Sequence, residues 1–214
     1  SLGNKRIVLL TGGGGTLGRA LLARKPDDVY VISITKTSVS DLHDVFTCHF
    51  DLSKDEEKII TYIESLVECV DVLINAAFIT HHFPLGQSQK DLFLNEFKLN
   101  VFTPIRLGEL CTNRFWSKRP KDENLSRRRK IINISSGAAF GMTGRPDLAV
   151  YSGAKAALNV MTEYLHEYMS PYGASAHIIA PGSLLDERIK DVTTRRIWEL
   201  QSEQKESFSL QKVF

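Results

Sequence analysis

Two side chains with complementary acid–base chemistry, Tyr151 and Lys155, stand four residues apart in a segment with helical patterning. At this spacing both side chains lie on one face of a helix. A tyrosine hydroxyl normally loses its proton near pH ~10, and a nearby ammonium group favours the phenolate. At ~4 Å and an effective dielectric constant of ~20 the attraction is about 4 kcal/mol, equivalent to roughly three pKa units. The pair therefore predicts a tyrosine that exchanges a proton with substrate near neutral pH, although a plain surface pair would have the same spacing.

A cluster of glycines follows the first strand-like segment. Residues 11–18 read TGGGGTLG, in which Gly13, Gly15 and Gly18 satisfy the pattern G-x-G-x-x-G. Such glycines permit a tight turn, close approach of the backbone to a pyrophosphate and close packing of the following helix. The helix N-terminus adds unpaired N–H groups and a positive dipole end. This position between strand and helix favours a dinucleotide-binding turn over a turn without a ligand, and no Walker lysine follows the glycines.

Strand-length apolar segments alternate with helical patterns along most of the chain. Strands are predicted over residues 6–11, 29–35, 45–50, 70–75, 130–135 and 175–180. Helices are predicted over residues 17–24, from residue 53 onward, and over residues 90–111, 150–169 and 186–201. Ser53 and Glu56 form a capping-box pattern at the start of the second helix. Because the alternation implies right-handed crossovers, we predict a single-domain α/β chain with one doubly wound parallel sheet, the Rossmann fold, and helices on both faces.

Composition argues against several other classes of protein. The 214 residues include 27 basic and 25 acidic side chains, a near balance that gives no electrostatic case for a nucleic-acid partner. No apolar run approaches the roughly 20 residues of a membrane helix, so no membrane association is expected. Cys48, Cys69 and Cys111 fit neither a disulfide framework nor a metal motif. The charged stretch over residues 117–130 is expected to be a solvated loop rather than a phosphate-binding patch.

The ends of the chain bear on location and domain organisation. No signal peptide is visible, and the cysteine usage fits a reducing compartment, so a cytoplasmic location is expected. We predict one dinucleotide-binding catalytic domain over residues 1–214. Its C-terminal part is expected to be incomplete, because no seventh strand is evident in the sequence.

Several motifs together resemble the short-chain dehydrogenase/reductase family. In chain order they are the glycine loop at residues 11–18, Asp51-Leu52, Asn75-Ala76-Ala77, Asn100, Ser135-Ser136, Tyr151 with Lys155, and Pro181-Gly182. The resemblance runs over about residues 5–186, most of the chain. It implies an oxidoreductase that transfers a hydride between a nicotinamide cofactor and a small carbonyl or alcohol substrate, with the hydride chemistry belonging to the cofactor.

The resemblance also implies roles for individual residues. Tyr151 would be the general acid or base at the substrate oxygen, Ser136 would hydrogen-bond that oxygen, and Lys155 would hold the nicotinamide ribose and tune Tyr151. Asn100 would position a water in a proton relay, with bridging of backbone in a kinked helix as its alternative role. Ser135 is the alternative catalytic serine. The residues implied to bind cofactor are Thr11, Gly12, Gly13, Gly15, Thr16, Leu17, Gly18, Asp51, Leu52, Asn75, Ala76, Ala77, Tyr151, Lys155, Pro181 and Gly182.

The end of the second predicted strand bears on the choice between NAD and NADP. A carboxylate there usually binds the ribose 2′-OH of NAD, about 20 residues after the glycines. Thr35, Lys36 and Thr37 stand at that point, and no acidic residue lies between Asp28 and Asp41. Lys36 supplies a charge for a 2′-phosphate, and the threonines supply hydroxyl donors. We therefore predict NADP(H) over NAD(H), unless Lys36 faces solvent and Asp41 turns inward.

Departures from the family pattern keep other interpretations open. The classical glycine motif needs glycine where Thr16 stands, and the spacing found here resembles the branch of nucleotide-sugar epimerases and dehydratases. Those enzymes need a substantial C-terminal substrate domain, for which this chain is short. A non-catalytic regulator that senses a dinucleotide is a second alternative, but such proteins typically lose the tyrosine or the lysine. His81 and His82 follow the fourth strand near the expected substrate entrance, and they are interpreted as loop residues.

The helix predicted over residues 150–169 carries apolar residues on more than one side. One side has Ala157, Leu158, Met161 and Leu165, and another has Ala156, Val160 and Tyr164. A helix that packs only on its own sheet needs one apolar stripe. The second side predicts self-association as a homodimer or homotetramer, with burial by the protein's own loops as the alternative.

Overall fold

The structure is a computed structural model that describes residues 3–37, 41–87, 89–141 and 145–182. The chain divides into two compact units, residues 1–182 and 183–214. The second unit lies outside the described residues, and so does the helix expected over residues 186–201. A single domain over residues 1–214 therefore stays a prediction.

Six strands of the described residues form one parallel sheet. They are β1 (Arg6–Thr11), β2 (Val29–Thr35), β3 (Val45–His49), β4 (Val72–Asn75), β5 (Lys130–Ile134) and β6 (Ser175–Ile179). Their order is β3-β2-β1-β4-β5-β6, and all five neighbouring pairs are parallel. The chain order reverses between β1 and β4, which leaves three strands on each side, as predicted. In such sheets, ligands bind outside the carboxyl ends of the strands at this switch point.

Helices cover both faces of the sheet. They are α1 (Thr16–Ala23), α2 (Glu56–Leu66), α3 (Lys90–Phe97), α4 (Thr103–Cys111), α5 (Lys121–Ser126) and α6 (Ala149–Met169). Leu9 packs in a core with residues of α2, α4 and α6, whereas Leu10 packs with Leu22 of α1 in a second core. Because successive strand residues point to opposite faces, the two cores lie on opposite sides, which confirms the doubly wound α/β fold. No helix in the described part of the chain is both long and apolar enough to cross a membrane.

The start of α2 corrects the predicted capping box. Asp55 is the N-cap residue, and its carboxylate accepts a hydrogen bond from the Lys58 backbone N–H at 3.1 Å. Ser53 instead donates its hydroxyl to Asp51 at 2.7 Å. Glu56 is buried as the first helical residue. Aspartate caps as well as serine does, and a carboxylate here also matches the helix dipole.

The helix expected over residues 90–111 is interrupted. A π-helical turn over Lys98–Phe102 separates α3 from α4, and a second one over Thr112–Trp116 follows α4. π-Helical turns often mark functional sites. The first turn contains the buried Asn100. The spacing of apolar residues in the sequence did not reveal this π-helical turn. A local change in helical winding shifts the position of the buried face but keeps its apolar periodicity.

The charged stretch over residues 117–130 is not the solvated loop that was expected. It contains α5, and its Arg129 is only 3% exposed. Arg127 binds the buried Asp71 carboxylate at 2.6 and 2.9 Å, while Arg129 lies 2.7 Å from Glu123 and 3.5 Å from Asp71. Asp71 also accepts a backbone N–H of β1 at 2.9 Å. These ion pairs tie the segment before β5 to the amino-terminal ends of β1 and β4.

Candidate active site

The turns that follow β1 and β4 are joined at the switch point. The Ala77 backbone N–H donates to the Thr11 hydroxyl at 3.2 Å. The Gly12 backbone N–H donates to the carbonyl of Ile34 in β2 at 2.8 Å. The structure thus brings together the glycine loop, the end of β2 and the segment after β4, three of the regions predicted for the site.

Glycine is required at Gly12 by both conformation and space. Its φ of +76° lies in the left-handed region, and a Cβ atom there would sit 2.7 Å from the Ala77 backbone nitrogen. At Gly18, an added Cβ would sit 2.6 Å from the Gly13 Cα. The first glycine therefore permits the close approach of the two turns, and the last permits α1 to pack on the loop.

The N-terminus of α1 has the features of an anion site. Its N-cap residue, Gly15, provides no side-chain cap, and its first turn contains no acidic residue. Backbone N–H groups at such a terminus suit a phosphate, which the positive end of the helix dipole also favours. Leu17 lies in this first turn. The loop and the helix terminus together fit the pyrophosphate of a dinucleotide.

The end of β2 carries the charge and hydroxyl groups expected there, but they are already paired. Lys36 Nζ lies 3.0 Å from Asp51 Oδ1, with 66% of the lysine side chain exposed. The hydroxyls of Thr35 and Thr37 lie 3.2 Å apart. Hydrogen bonds from Ser53, together with Lys36, lower the pKa of Asp51 against the opposing effect of burial. Asp51 therefore stays ionised, and Lys36 faces a carboxylate rather than solvent alone.

Two residues expected to line the cofactor use their side chains elsewhere. Leu52 packs in the large core. Asn75 is buried and donates to Asn133 Oδ1 at 2.8 Å, and Asn133 in turn donates to Thr162 of α6 at 2.9 Å. This row of amides ties β4, β5 and α6 together. The Leu52 side chain and the Asn75 amide nitrogen are thus taken up by contacts within the protein.

Tyr151, Lys155 and Ser136 come together where β5 meets α6. Ser136 lies close enough to the Tyr151 hydroxyl to lower its pKa. Lys155 Nζ donates to the carbonyl of Ile134, the last residue of β5, at 2.8 Å, and lies 5.8 Å from the centroid of the Tyr151 ring. Ser135 is buried and its hydroxyl donates to the Lys155 carbonyl at 3.4 Å. Of the two serines, Ser136 is the one that reaches the tyrosine.

The acidity expected of Tyr151 is corrected by the structure. Burial raises the pKa of its hydroxyl, the neighbouring Ser136 opposes this effect, and the charge of Glu96 raises the pKa further. Burial also lowers the pKa of Lys155 to about 8. A desolvated lysine loses its proton more readily, so the simple attraction across four residues of helix overstates the effect of Lys155 on Tyr151.

Asn100 bridges backbone, which was the alternative given for it. Its amide nitrogen donates to the Ile79 carbonyl at 2.7 Å, and its amide oxygen accepts the Ile79 N–H at 3.1 Å. Both bonds fix the segment after β4 against the π-helical turn. A relay role for Asn100 stays a prediction.

His81 and His82 both make specific contacts, which a plain loop interpretation did not anticipate. The His81 backbone N–H donates to the buried carboxyl group of Glu96. His82 Nδ1 lies 3.0 Å from Asp147 Oδ2, and Arg145 binds the same oxygen at 2.5 Å. The segment after β4 is therefore attached to α3 on one side and to the residues before α6 on the other.

The turn after β6 contacts the serine turn. The Pro181 carbonyl accepts the Gly137 backbone N–H at 3.0 Å, and the Ser135 N–H donates to the carbonyl of Ile179 at 2.8 Å. Gly182 is the last described residue. The Pro181-Gly182 turn thus lies beside Ser136, on the same edge of the sheet as the glycine loop.

Sequence reasoning missed three residues of this site. Phe78 is 57% exposed, and its ring centroid lies 6.1 Å from that of Tyr151. Glu96 is fully buried next to the same region. A Cβ atom on Gly14 would collide with the hydroxyls of Thr35 and Thr37. The sequence could have indicated Glu96, because it is an acidic residue at a helical position that the apolar pattern buries. The contacts of Phe78 and Gly14 depend on the tertiary fold.

The parallel sheet, the glycine turn and the serine–tyrosine–lysine cluster are those of a dinucleotide-binding oxidoreductase fold. Residues 6–196 match the model of the short chain dehydrogenase family, so the chain belongs to that family.

Similar proteins agree with this assignment. The chain is 28% identical over 167 residues to a benzil reductase, (S)-benzoin forming, of Bacillus subtilis, with 73% of this chain and 64% of that protein covered. It is 27% identical over 194 residues to the 3-oxoacyl-[acyl-carrier-protein] reductase MabA of Mycobacterium avium, with 86% and 72% covered. A short chain dehydrogenase of Leptospira borgpetersenii, crystallised with NAD+, has the same fold. Its TM-score is 0.74 at 23% identity, over 86% of this chain and 73% of that one.

Proposed function

We propose that this protein is an NADP(H)-dependent oxidoreductase that reduces a small carbonyl compound, or oxidises the matching alcohol, with Tyr151 as general acid or base. The observation that carries the proposal is the convergence of Ser136 and Lys155 on Tyr151: Ser136 lies close enough to lower the pKa of the tyrosine hydroxyl, and the Lys155 amine lies 5.8 Å from the tyrosine ring. Family membership and the adjacent glycine loop support it.

The chain's own residues handle the proton. A bound nicotinamide supplies or accepts the hydride. Tyr151 donates its hydroxyl proton to the substrate oxygen during reduction, and Ser136 hydrogen-bonds the same oxygen. Because burial raises the pKa of Tyr151, the hydroxyl holds its proton near neutral pH, which favours its action as an acid in reduction. The Lys155 ammonium group balances the negative charge of the phenolate that is left after Tyr151 donates its proton. Lys155 also binds the cofactor ribose.

The preference for NADP(H) rests on the end of β2. Lys36 is a basic residue directly after β2, and the hydroxyls of Thr35 and Thr37 lie next to Gly14. The negative charge of the Asp51 carboxylate repels a 2′-phosphate, and the ion pair of Asp51 with Lys36 offsets that negative charge. The three cysteines are free thiols, which supports the proposed cytoplasmic location.

Replacement of Tyr151 by phenylalanine tests the proposal. Tyr151→Phe removes only the proton donor, so turnover of a panel of ketones, followed by NADPH absorbance, should fall by a factor of about 100 or more. NADPH affinity, measured by its fluorescence, should stay nearly unchanged. Tyr62→Phe, the same substitution at a tyrosine of α2, is the matched control.

Full turnover by Tyr151→Phe would contradict the assignment. NADPH binding with no turnover of any carbonyl would favour a dinucleotide-sensing regulator. Conversion of a nucleotide sugar without net NADPH consumption would favour an epimerase.

A further inference from the structure

Glu96 is a fully buried carboxyl group that the proposed reaction does not use. It lies in α3, and its Oε1 accepts the backbone N–H of His81. Its Oε2 is also buried and has no hydrogen-bond partner among the described residues. A buried carboxyl group with an unsatisfied oxygen is costly and calls for a reason.

Glu96 and Asn100 hold the segment after β4 together. They stand four residues apart, across the junction of α3 with the first π-helical turn, and face the same stretch of backbone. Asn100 binds Ile79 through both amide atoms, while Glu96 binds His81 two residues further on. Phe78, at the start of this segment, has its ring centroid 6.1 Å from that of Tyr151. The two side chains therefore fix the backbone that borders the proton donor.

The charges around Glu96 and Tyr151 define how the two groups interact. His81 and His82, on the segment after β4, face Glu96 and lower its pKa, but burial outweighs them and raises it. Tyr151, on α6, feels the negative charge of Glu96, which raises the pKa of the hydroxyl. Ser136 from the turn after β5 opposes this effect, and the Lys155 amine is bonded to the Ile134 carbonyl.

We propose that Glu96 is a positioning residue for the proton donor: its buried carboxyl group holds residues 78–82 beside Tyr151 and brings a negative charge into the surroundings of the tyrosine hydroxyl. The inference rests on the proposed function of Tyr151. The negative charge of Glu96 keeps a larger fraction of the Tyr151 hydroxyl protonated at alkaline pH, which suits reduction of a carbonyl. A merely structural Glu96 would fix the segment without affecting the titration of Tyr151.

The test is the titration of Tyr151 in Glu96→Gln, which keeps an acceptor for His81 and removes the charge. The Tyr151 signal, identified with Tyr151→Phe, is followed by NMR in protein labelled with ¹³C at the tyrosine ζ carbon. The Tyr151 midpoint should fall by about one pH unit in Glu96→Gln. The alkaline limb of the pH profile of kcat for reduction should move down equally, because activity in this direction needs the protonated hydroxyl. Glu96→Asp should restore most of the wild-type midpoint.

Glu68→Gln is the control, since it makes the same change at an exposed site ahead of β4, at the opposite edge of the sheet, and should leave the midpoint in place. If Glu96→Gln does not fold, Glu96→Met takes its place, because it removes the charge without burying another polar group. An unchanged Tyr151 midpoint in the folded neutral variant overturns the inference. The titration needs no turnover, so a shifted midpoint in a protein that reduces no carbonyl overturns the proposed function alone.

Discussion

At the scale of single residues, burial of Lys155 makes stability depend on pH in a defined direction. Its pKa is lowered to about 8 in the folded protein, against roughly 10.4 for an unfolded lysine. Between these values the unfolded chain binds the extra proton, so this group's contribution to the free energy of unfolding increases as pH rises through the window. Relative to Lys155→Met, the wild type should gain up to about 3 kcal/mol across it.

Urea unfolding at a series of pH values measures this gain. The same substitution at the exposed Lys118 gives the background slope. Parallel curves for the wild type and Lys155→Met would show that the amine is not desolvated.

The pairing of Lys36 with Asp51 leads to a second prediction at this scale. Loss of the amine in Lys36→Ala leaves the Asp51 carboxylate without its nearest cation where a 2′-phosphate is expected. The ratio of kcat/KM for NADPH to that for NADH should therefore fall on the order of 10- to 100-fold, the range of a charge-assisted bond. Asp51→Asn should raise the ratio, since it frees Lys36.

Lys58→Ala, in which an exposed lysine of α2 is lost, is the control. A wild-type preference for NADH, or an unchanged ratio in Lys36→Ala, would mean that another group recognises the ribose.

At the scale of elements, the turn between β1 and α1 tolerates side chains unequally. Gly12→Ala places a Cβ 2.7 Å from the Ala77 nitrogen at a φ of +76°, and should lower the free energy of unfolding by about 2 to 4 kcal/mol. Gly15→Ala, at a φ of −79°, should cost less than about 1 kcal/mol. Chemical denaturation measures both.

The more stable of the two variants should still be impaired in cofactor binding. Gly15→Ala should fold yet bind NADPH more weakly, because the new methyl group lies at the N-terminus of α1. Equal stabilities would show that the turn relaxes, and unimpaired NADPH binding by Gly15→Ala would place the pyrophosphate elsewhere.

At the scale of the whole molecule, α6 divides into a buried and an exposed face. Leu158 and Leu165 are buried, whereas Val160, Met161 and Tyr164 are exposed, Tyr164 at 70%. An exposed apolar face of this kind favours association with a second copy. We expect a dimer or tetramer by light scattering and a shift toward monomer in Tyr164→Glu, whereas Leu85→Glu in a loop should not shift the mass. A monomeric wild type would count against this.

Local sequence patterns determined the order of the elements, the glycine turn and the placement of Tyr151 and Lys155 on one face of a helix. Each depends on residues that are close in the chain: apolar periodicity selects helix or strand, glycine selects the turn, and a four-residue interval selects one helical face. The same reasoning failed at Ser53, because a neighbouring Asp55 competes for the same cap. It also failed to separate α3 from α4, since the buried face continues through the π-helical turn.

Tertiary structure alone decided which charged groups meet and what burial does to them. Asp71 draws Arg127 from 56 residues away in the chain, and Lys36 pairs with Asp51 across the ends of β2 and β3. Glu96 accepts the His81 N–H and acts electrostatically on Tyr151 only because α3 packs beside the segment after β4. The pKa of Tyr151 rises rather than falls because desolvation depends on everything packed around the hydroxyl, which no interval between two residues can encode.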